Sequence, residues 1–395
     1  MSEQAVQIRT SGKVLQSPCG SIIHGLEDVL IKNTSISDID GEKGILWYRG
    51  YRIEDLAKYS NYEEVSYLIL YGKLPNKKEL AEFAERLKTH RDLHPATAEV
   101  VRSLAKAHPM FAIEAAVATE GAFDEDNLKL AEALRVGRYK AEEKELAYRV
   151  AEKLVAKMPT VVAYHYRFSR GLEIVKPRRD LSHAANFLYM MFGKEPDPLA
   201  AKGIDLYLIL HADHEVPAST FTAHVVASTL SDMYSAVAAA VGALKGPLHG
   251  GANEMAVRNY LEIGDPSKAK ELVEAATKPG GPKLMGVGHR VYKAYDPRAK
   301  IFKDFSWDYV SKFGDPKNLY AIASAIEQEI LSHPYFQQRK LYPNVDFWSG
   351  IAFYYMGCLT NTSRQYSRCR GWLAGSHTSW SIGRTTEYSD HVHAT

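Results

Sequence analysis

Three short segments in the second half of the chain each hold one ionisable side chain in a turn shaped by glycine or proline. His249 lies in the string GPLHGGANE, His289 in GVGHRVY and Asp346 in PNVDF. Removing a proton beside a carbonyl group needs a base, together with donors that stabilise the enolate that forms. One carboxylate and two imidazoles can fill both roles. These residues therefore predict an acid/base site that acts on a carbonyl compound.

Each of the three residues also has a purely structural interpretation. His249 could be packed in its glycine turn, although the positive end of the helix predicted just after it would favour a neutral, hydrogen-bond-donating imidazole. The GxG before His289 indicates a nucleotide loop only weakly, because it lacks the third glycine and the preceding strand of a dinucleotide site. Asp346 could be a helix N-cap. Its two aromatic neighbours predict partly apolar surroundings, which raise the pKa of a carboxyl group.

Two further features could contribute polar groups to the same site. In the string LHADHE, His211 and His214 are three residues apart and Glu215 follows. Histidines at this spacing can bind a metal, but the string is not HExxH and no second ligand cluster accompanies it, so we predict no metal site. Arg298 follows Asp-Pro at a predicted helix start, where the alternative to ligand binding is an ordinary surface charge.

The elements that position these residues are predicted to be mostly helical. Alternating apolar and polar residues from 29 to 50, around a turn at 40–44, predict a small β-hairpin. The dipeptides Asp265-Pro266 and Asp315-Pro316 predict capped helix starts. Amphipathic periodicity predicts helices over residues 62–71, 76–87, 141–157, 183–191, 223–244, 253–263, 299–313 and 319–331. We therefore expect an all-α fold with a small N-terminal β-hairpin.

Composition places the chain among ordinary globular proteins. Its 395 residues are enough for two domains, and 24% are charged and 46% hydrophobic. The formal net charge is +2 and the chain has no long basic run, which argues against nucleic acid and membrane surfaces as partners. The first ten residues lack a signal-peptide pattern and no run of 18 apolar residues occurs, so a cytoplasmic location is expected.

Cysteine and amide usage give two weaker indications. The three cysteines, Cys19, Cys358 and Cys369, are too few for a disulfide framework and lack metal-ligand spacing. Low asparagine and glutamine content beside abundant tyrosine, glutamate and lysine favours a thermophilic source.

The strings around the three ionisable residues resemble those of citrate synthases, from about residue 20 to Gly357. The resemblance implies that His249 polarises the thioester oxygen of acetyl-CoA and that Asp346 removes a methyl proton. It implies that His289 protonates the carbonyl of oxaloacetate as the new C–C bond forms, and that citryl-CoA is then hydrolysed to citrate and CoA. In this family His214 and Arg298 would bind oxaloacetate, whereas His211 would be a buried structural partner.

The resemblance also implies how the substrates and domains are arranged. Residues matching the wall that takes the adenine of CoA are Lys283, Met285, Gly286, Val287 and Gly288. A large helical domain would comprise residues 1–249 and 349–395, and a small helical domain, residues 250–348, would be inserted in it. We expect a homodimer that uses oxaloacetate and acetyl-CoA as substrates and has no permanently bound cofactor.

Three alternatives to this function stay open at the level of sequence. A 2-methylcitrate synthase would use the same chemistry on propionyl-CoA, and one methylene in a pocket is worth only about 1–3 kcal/mol, so pocket residues do not decide between the two. An altered C-terminus could leave a catalytically impaired homologue. A helical dimer that only binds ligands or partners belongs to another class, and the intact His249, His289 and Asp346 argue against it.

The segment from Cys358 to Thr395 departs from the family pattern. Citrate synthases end with a helix bearing Ser-Arg and a tail containing Arg-Pro-Arg, from which arginines contact citrate. In the written frame Arg-Pro-Arg does not occur, and the Ser-Arg dipeptides lie in a stretch without helical periodicity. If one base is missing between the codons of Gly357 and Cys358, permissible codons in the neighbouring frame encode an amphipathic segment with both patterns in the family's order. We therefore expect residues 358–395 to be a frameshift product. The restored frame also places a cysteine near the C-terminus that could pair with Cys19.

Overall fold

The computed structural model describes residues 14–17, 20–23, 31, 33–136, 141–246 and 249–358. Two compact units divide the chain, residues 1–35 and residues 36–395. The first unit holds an antiparallel hairpin of β1 (Val14–Ser17) and β2 (Gly20–Ile23). The frameshift expected for the tail and the possible pairing of Cys19 concern residues that, apart from Cys358, lie outside the described ones.

A small antiparallel sheet opens the second unit. It consists of β3 (Ser37–Asp40), β4 (Ile45–Tyr48) and β5 (Tyr51–Arg52), in that order. Asp40 pairs with Ile45 across a four-residue turn that ends at Gly44, whose φ of +66° favours glycine. The hairpin predicted around residues 40–44 is confirmed.

The rest of the described chain is helical, which confirms the predicted all-α class. A short 3-10 helix at Pro266–Lys268 leads directly into the α-helix that begins at Ala269. The α-helices are α1 (Ile53–Tyr59), α2 (Tyr62–Tyr71), α3 (Lys77–Thr89), α4 (Pro95–Ser103), α5 (Pro109–Phe123), α6 (Glu125–Arg135), α7 (Ala141–Phe168), α8 (His183–Phe192), α9 (Pro198–Leu210), α10 (Ala218–Ala227), α11 (Met233–Leu244), α12 (Ala252–Ile263), α13 (Ala269–Ala276), α14 (Pro297–Phe313), α15 (Leu319–Ser332), α16 (Pro334–Gln338) and α17 (Val345–Tyr355).

Two of the helix predictions need correction. The single helix predicted over 223–244 is two helices, α10 and α11, because Leu230 has a φ of +63° and Asp232 caps α11 through the N–H of Ser235. Asp315 is not the N-cap residue of α15, since Asn318 occupies that position. Its carboxylate nevertheless accepts the N–H groups of the first helical turn, so it satisfies the donors that a cap normally satisfies.

Helices α12 and α17 pack at close range, and this packing determines where two of the predicted site residues meet. A Cβ on Gly350 would come within 2.8 Å of the backbone oxygen of Asn253. Two buried hydrogen bonds tie the helices together: Asn253 Nδ2 donates to Ser349 Oγ (2.9 Å), and the hydroxyl of Tyr260 donates to the carbonyl of Phe347 (2.8 Å). Since α12 begins just after His249 and α17 carries Asp346, these contacts fix the separation of the two side chains.

Division into a large domain (1–249 with 349–395) and an inserted small domain (250–348) stays a prediction. The helices assigned to both parts share one buried core, to which Tyr207 of α9, Phe302 of α14 and Phe353 of α17 contribute interlocking rings at 4.9–5.9 Å between centroids. Fully burying such a side chain contributes about 1.5–3 kcal/mol. This aromatic core lies directly beneath the candidate site, because Tyr207 also lines the site's cavity.

Candidate active site

One cavity of about 370 Å³ brings the predicted catalytic and oxaloacetate-binding residues together. His214, His249, His289, Arg298 and Asp346 all line it, although they are spread over more than a hundred positions of the chain. The predicted structural residue His211 also reaches its wall. A cavity of this size with convergent polar groups is typical of a small-molecule site.

His249 is held in place by its turn and by α10. Its backbone N–H donates to the carbonyl of Gly246 (3.0 Å), and Nε2 lies 2.8 Å from the hydroxyl of Ser219. Gly250 packs so closely on the carbonyl of Leu244 that a Cβ would clash with it. Burial lowers the pKa of His249, so the ring is neutral at pH 7. Because Ser219 engages Nε2, a ligand oxygen would be bound through Nδ1.

The tautomer of His289 follows from its backbone contacts. The N–H groups of Val291 and Tyr292 both donate to Nδ1, at 3.1 and 3.2 Å. Burial, with the nearby charge of Arg298, lowers the pKa of His289 to about 4. The ring is therefore neutral and carries its proton on Nε2, which makes it a hydrogen-bond donor toward the cavity.

His214 lies beside His289, and Tyr292 contacts both rings. The two imidazole centroids are 5.1 Å apart, and the Tyr292 ring is 4.8 Å from that of His289. The Tyr292 hydroxyl is 3.1 Å from His214 Nε2. Burial, with the charge of Arg298, holds the pKa of His214 well below its usual value, so this ring is also neutral. Tyr292 ends the string GVGHRVY, but no sequence pattern indicated that it would contact these two histidines.

Arg298 is a buried cation held by a buried carboxylate. Its Nε and Nη2 donate to the two oxygens of Asp296, at 3.0 and 2.8 Å, and both residues are at most 5% exposed. Asp296 also accepts the N–H of Arg298 as the N-cap of α14 and the N–H of Val345. The surface-charge alternative for Arg298 is thus wrong. Because Asp296 occupies one edge of the guanidinium, a ligand carboxylate would bind the edge formed by Nη1 and Nη2.

Asp346 occupies the first turn of α17, one position after Val345. Asn344 is the N-cap, and its Oδ1 accepts the N–H of Asp346 (3.0 Å). The alternative that Asp346 is itself the N-cap is therefore wrong, and its carboxylate does not cap the helix. Its side chain keeps part of its surface open to the cavity, while burial on the other sides raises its pKa to about 6. A carboxylate with this pKa is ionised at pH 7 and is a stronger base than an exposed one.

Residues 285–288 form a tight loop against the start of α17. Gly286 and Gly288 have φ of +79° and +87°, and a Cβ on Gly286 would come within 2.7 Å of the backbone of Phe347. The N–H of Gly288 donates to the carbonyl of Tyr342 (2.7 Å), and Val287 forms a β-bridge with Pro343. Of the five residues predicted to contact CoA, Lys283 is exposed, Met285, Val287 and Gly288 are half-buried, and Gly286 is buried.

The strand end at Ser37 supports the His214 segment, a contact that the sequence did not indicate. Ser37 Oγ hydrogen-bonds the carboxylate of Asp213 and accepts the N–H of Glu215 (3.1 Å). Glu215 has a φ of +59°, an uncommon conformation for glutamate, and it lines the cavity. His211 also lines the cavity, and its Nδ1 lies 2.8 Å from the carbonyl of Tyr207. This contact is the structural role predicted for His211.

The described residues contain neither a metal-binding cluster nor a membrane-spanning helix. No set of three histidine, cysteine, aspartate or glutamate side chains in that part of the chain is arranged to hold a metal ion. Among the helices of the same part, none combines the length and the apolar character needed to cross a lipid bilayer.

Comparisons with known proteins identify the family. The family model described as citrate synthase, C-terminal domain, matches residues 25–385, a range that runs past Gly357. A citrate synthase of Saccharolobus solfataricus is 43% identical over 354 residues, which cover 89% of this chain and 90% of that protein. The crystal structure of citrate synthase from Pyrobaculum aerophilum is 78% identical, has a TM-score of 0.94 and covers 98% of this chain and 94% of that one.

A second solved relative contains ligands. It is the ternary complex of carboxymethyl coenzyme A and oxaloacetate with citrate synthase from the thermophilic archaeon Thermoplasma acidophilum. That chain is 35% identical, with a TM-score of 0.81 and coverage of 93% of this chain and 91% of its own. The chain described here belongs to the citrate synthase family, whose members are acyltransferases.

Proposed function

We propose that this protein condenses oxaloacetate with acetyl-CoA and hydrolyses the product to citrate and CoA. The observation that carries the proposal is the convergence of one ionised carboxylate and two neutral imidazoles, Asp346, His249 and His289, on one cavity. The Thermoplasma relative, solved with oxaloacetate and a CoA derivative, supports the choice of substrates.

The protonation states suggest a division of roles. Asp346 takes a methyl proton from the thioester, and the electron pair moves to the thioester oxygen, where a neutral His249 donates a hydrogen bond to the enolate. The enolate carbon attacks the carbonyl of oxaloacetate, whose oxygen receives the Nε2 proton of His289. Water then cleaves the thioester and releases CoA. The raised pKa of Asp346 and the Nε2 proton of a neutral His289 support the first two proton transfers.

Substrate binding follows from the remaining cavity residues. Arg298 would bind a carboxylate of oxaloacetate through its outer edge, and His214 would hydrogen-bond the same molecule. The loop of Met285, Gly286, Val287 and Gly288, with Lys283 beside it, would bind the adenine of CoA, largely through main-chain groups. Oxaloacetate would bind first and close the inserted domain, residues 250–348, over the site, which excludes water. Acetyl-CoA is a co-substrate in this scheme, and no resident cofactor is required.

Thiol release tests the reaction. The purified chain, verified by mass, is given acetyl-CoA with and without oxaloacetate, and free CoA and citrate are measured. The proposal predicts equal amounts of CoA and citrate, and only when both substrates are present. Propionyl-CoA serves as the comparison: a higher kcat/KM with propionyl-CoA than with acetyl-CoA would overturn the choice of acyl group but leave the chemistry intact.

Activity should fall on the acid side of neutrality. Asp346 must be ionised to act as the base, and its pKa of about 6 implies that log(kcat/KM) for acetyl-CoA falls with unit slope below about pH 6. His289, with a pKa of about 4, stays neutral over this range. The profile is measured from pH 4.5 to 8, with circular dichroism to show that the protein remains folded. A flat profile down to pH 5 would refute the assignment of Asp346.

Removing the hydroxyl of Ser219 should weaken His249 without abolishing activity. Ser219→Ala deletes one neutral hydrogen bond, worth about 0.5–1.5 kcal/mol, so kcat should fall about 3- to 10-fold. Ser228→Ala is a matched control, because Ser228 is exposed at the end of α10 and its hydroxyl donates to the carbonyl of Val225. Unchanged kcat in Ser219→Ala would show that this contact does not orient the ring.

A homodimer is the proposed assembly. Large apolar side chains remain about half exposed on α5, α6 and α10, namely Phe111, Phe123, Leu128 and Val225. α5 and α11 are apolar around most of their circumference, which is typical of helices covered on all sides. One chain weighs 44.2 kDa, and light scattering should return about twice that mass. A monomer mass at micromolar concentration would contradict the proposal.

We also propose a thermophilic source organism and a cytoplasmic location for the protein. The amide-poor composition and the thermophilic origin of the Thermoplasma relative support a thermophilic source, which a thermal unfolding midpoint tests. The cytoplasmic location stays a prediction.

We also propose that residues 358–395 are a frameshift product. Restoring one base after the Gly357 codon would return the family's two arginine patterns and raise turnover by orders of magnitude, because each unpaired substrate carboxylate costs several kcal/mol. Equal turnover of both chains would refute it.

A further inference from the structure

Both polar atoms of the Asn344 side chain form hydrogen bonds, one to the loop 285–288 and one to the start of α17. Its Oδ1 accepts the N–H of Asp346 (3.0 Å), and its Nδ2 donates to the carbonyl of Gly288 (2.9 Å). Its backbone N–H donates to the carbonyl of Gly286 (2.8 Å). The residue also lines the cavity. One side chain therefore contacts the backbone next to His289 and the backbone of the predicted base.

The two segments leave each other little room to move independently. The pairing of residues 286–288 with 342–344 is continued by the bond from Gly288 N–H to Tyr342 and by the bridge between Val287 and Pro343. Gly286 lies against the backbone of Phe347, one residue past Asp346. A displacement of the loop by a bound ligand must therefore either move the start of α17 or break the bonds of Asn344.

We infer that Asn344 is a positioning residue that couples occupancy of the loop 285–288 to the placement of the Asp346 carboxylate. The inference deepens the proposed function and rests on it, since that function assigns the loop to CoA and the carboxylate to proton abstraction. In this arrangement a thioester bound at the loop orders the base that must attack it. The proposed reaction assigns Asn344 no part in the proton transfers.

Two variants separate the two bonds of the side chain. Asn344→Ser keeps an oxygen that can cap α17 but loses the donor to Gly288, because serine is as good an N-cap as asparagine. Asn344→Ala loses both bonds. Asn76→Ser is the matched control, since Asn76 caps α3 through the N–H groups of Lys78 and Glu79 on an exposed surface.

Hydrogen exchange at saturating oxaloacetate, with and without CoA, tests the coupling without turnover, because CoA carries no acyl group to transfer. In the unmodified chain and in Asn76→Ser, CoA should slow amide exchange in both 285–288 and 344–347. In Asn344→Ser it should slow exchange in 285–288 only. Equal protection of 344–347 in Asn344→Ser would overturn the inference while leaving the proposed function intact. If CoA protected neither segment of the unmodified chain, the proposed function would fail, and the inference with it.

Steady-state kinetics provide a second measurement, in which kcat and the isotope effect would not change if Asn344 had only a structural role. Asn344→Ser should lower kcat by roughly 10- to 100-fold, because a misplaced reacting group costs about that much. The KM for oxaloacetate should stay within about threefold. The isotope effect on kcat/KM with methyl-deuterated acetyl-CoA should increase, since proton abstraction becomes more rate-limiting. A lower thermal midpoint with unchanged kcat and isotope effect would show a structural role alone.

Discussion

Asp346→Asn is expected to lower kcat for CoA release by about 10²- to 10⁴-fold, the usual contribution of a positioned general base. The amide has nearly the same shape as the carboxylate but cannot accept the methyl proton. The bond from the Asp346 N–H to Asn344 involves only the backbone of residue 346, so the start of α17 should be preserved. Binding of oxaloacetate, measured by calorimetry, should change little.

The same substitution should stabilise the folded protein at pH 8. The pKa of Asp346 is raised to about 6 in the folded state, above its value in the unfolded chain, so the folded protein holds this proton more tightly. The contribution of this bound proton to the free energy of unfolding is greatest below the pKa that Asp346 has in the unfolded chain. It is lost as the pH rises through about 6. An amide has no such loss. Asp308→Asn, an exposed change on α14, is the control and should alter neither property. Retained turnover in Asp346→Asn would exclude this residue as the base.

Arg298→Met is expected to have two separable effects. It leaves Asp296 as a buried carboxylate without its cation, which should cost about 3–5 kcal/mol of the free energy of unfolding. It should also raise the KM for oxaloacetate by a factor of about 30 or more, since losing one member of a buried charge pair costs at least about 2 kcal/mol. Chemical denaturation measures the first effect and steady-state kinetics the second.

A double variant distinguishes the two effects. Adding Asp296→Asn removes the unpaired charge and keeps an oxygen that can cap α14, so most of the stability should return. The high KM for oxaloacetate should remain, because the guanidinium is still absent. If the double variant also recovered the KM, Arg298 would serve only to neutralise Asp296.

The sequence was most informative where a short motif carries both a conformation and a reactive group. The strings around His249, His289 and Asp346 were sufficient to predict three side chains that line one cavity. Helix starts were predicted correctly at Asn76 and at Asp265, whereas Asp315 lies three residues before the N-cap of α15. Helix prediction failed at 223–244, where apolar residues continue through a break that depends on the backbone conformation of Leu230.

The residues that the sequence did not reveal act through long-range contacts. Ser219 reaches His249 from another helix, and Tyr292 reaches His214 from 78 positions away. Asn344 has the appearance of an ordinary N-cap in sequence, and its second bond, to Gly288, exists only because a distant loop packs there. Neither periodicity nor a local motif encodes such pairings. The raised pKa of Asp346 was anticipated from its aromatic neighbours, although burial by the whole site produces it.

The pH profile of the isotope effect with methyl-deuterated acetyl-CoA tests most directly whether Asp346 abstracts the proton at this site. In the presence of saturating oxaloacetate, the unmodified chain should show a normal primary isotope effect on kcat/KM, with activity lost below about pH 6. Asp346→Asn should abolish this acid limb together with nearly all CoA release. Equal rates of oxaloacetate-dependent CoA release in the two chains, or no such release even after the reading frame is restored past Gly357, would contradict the account.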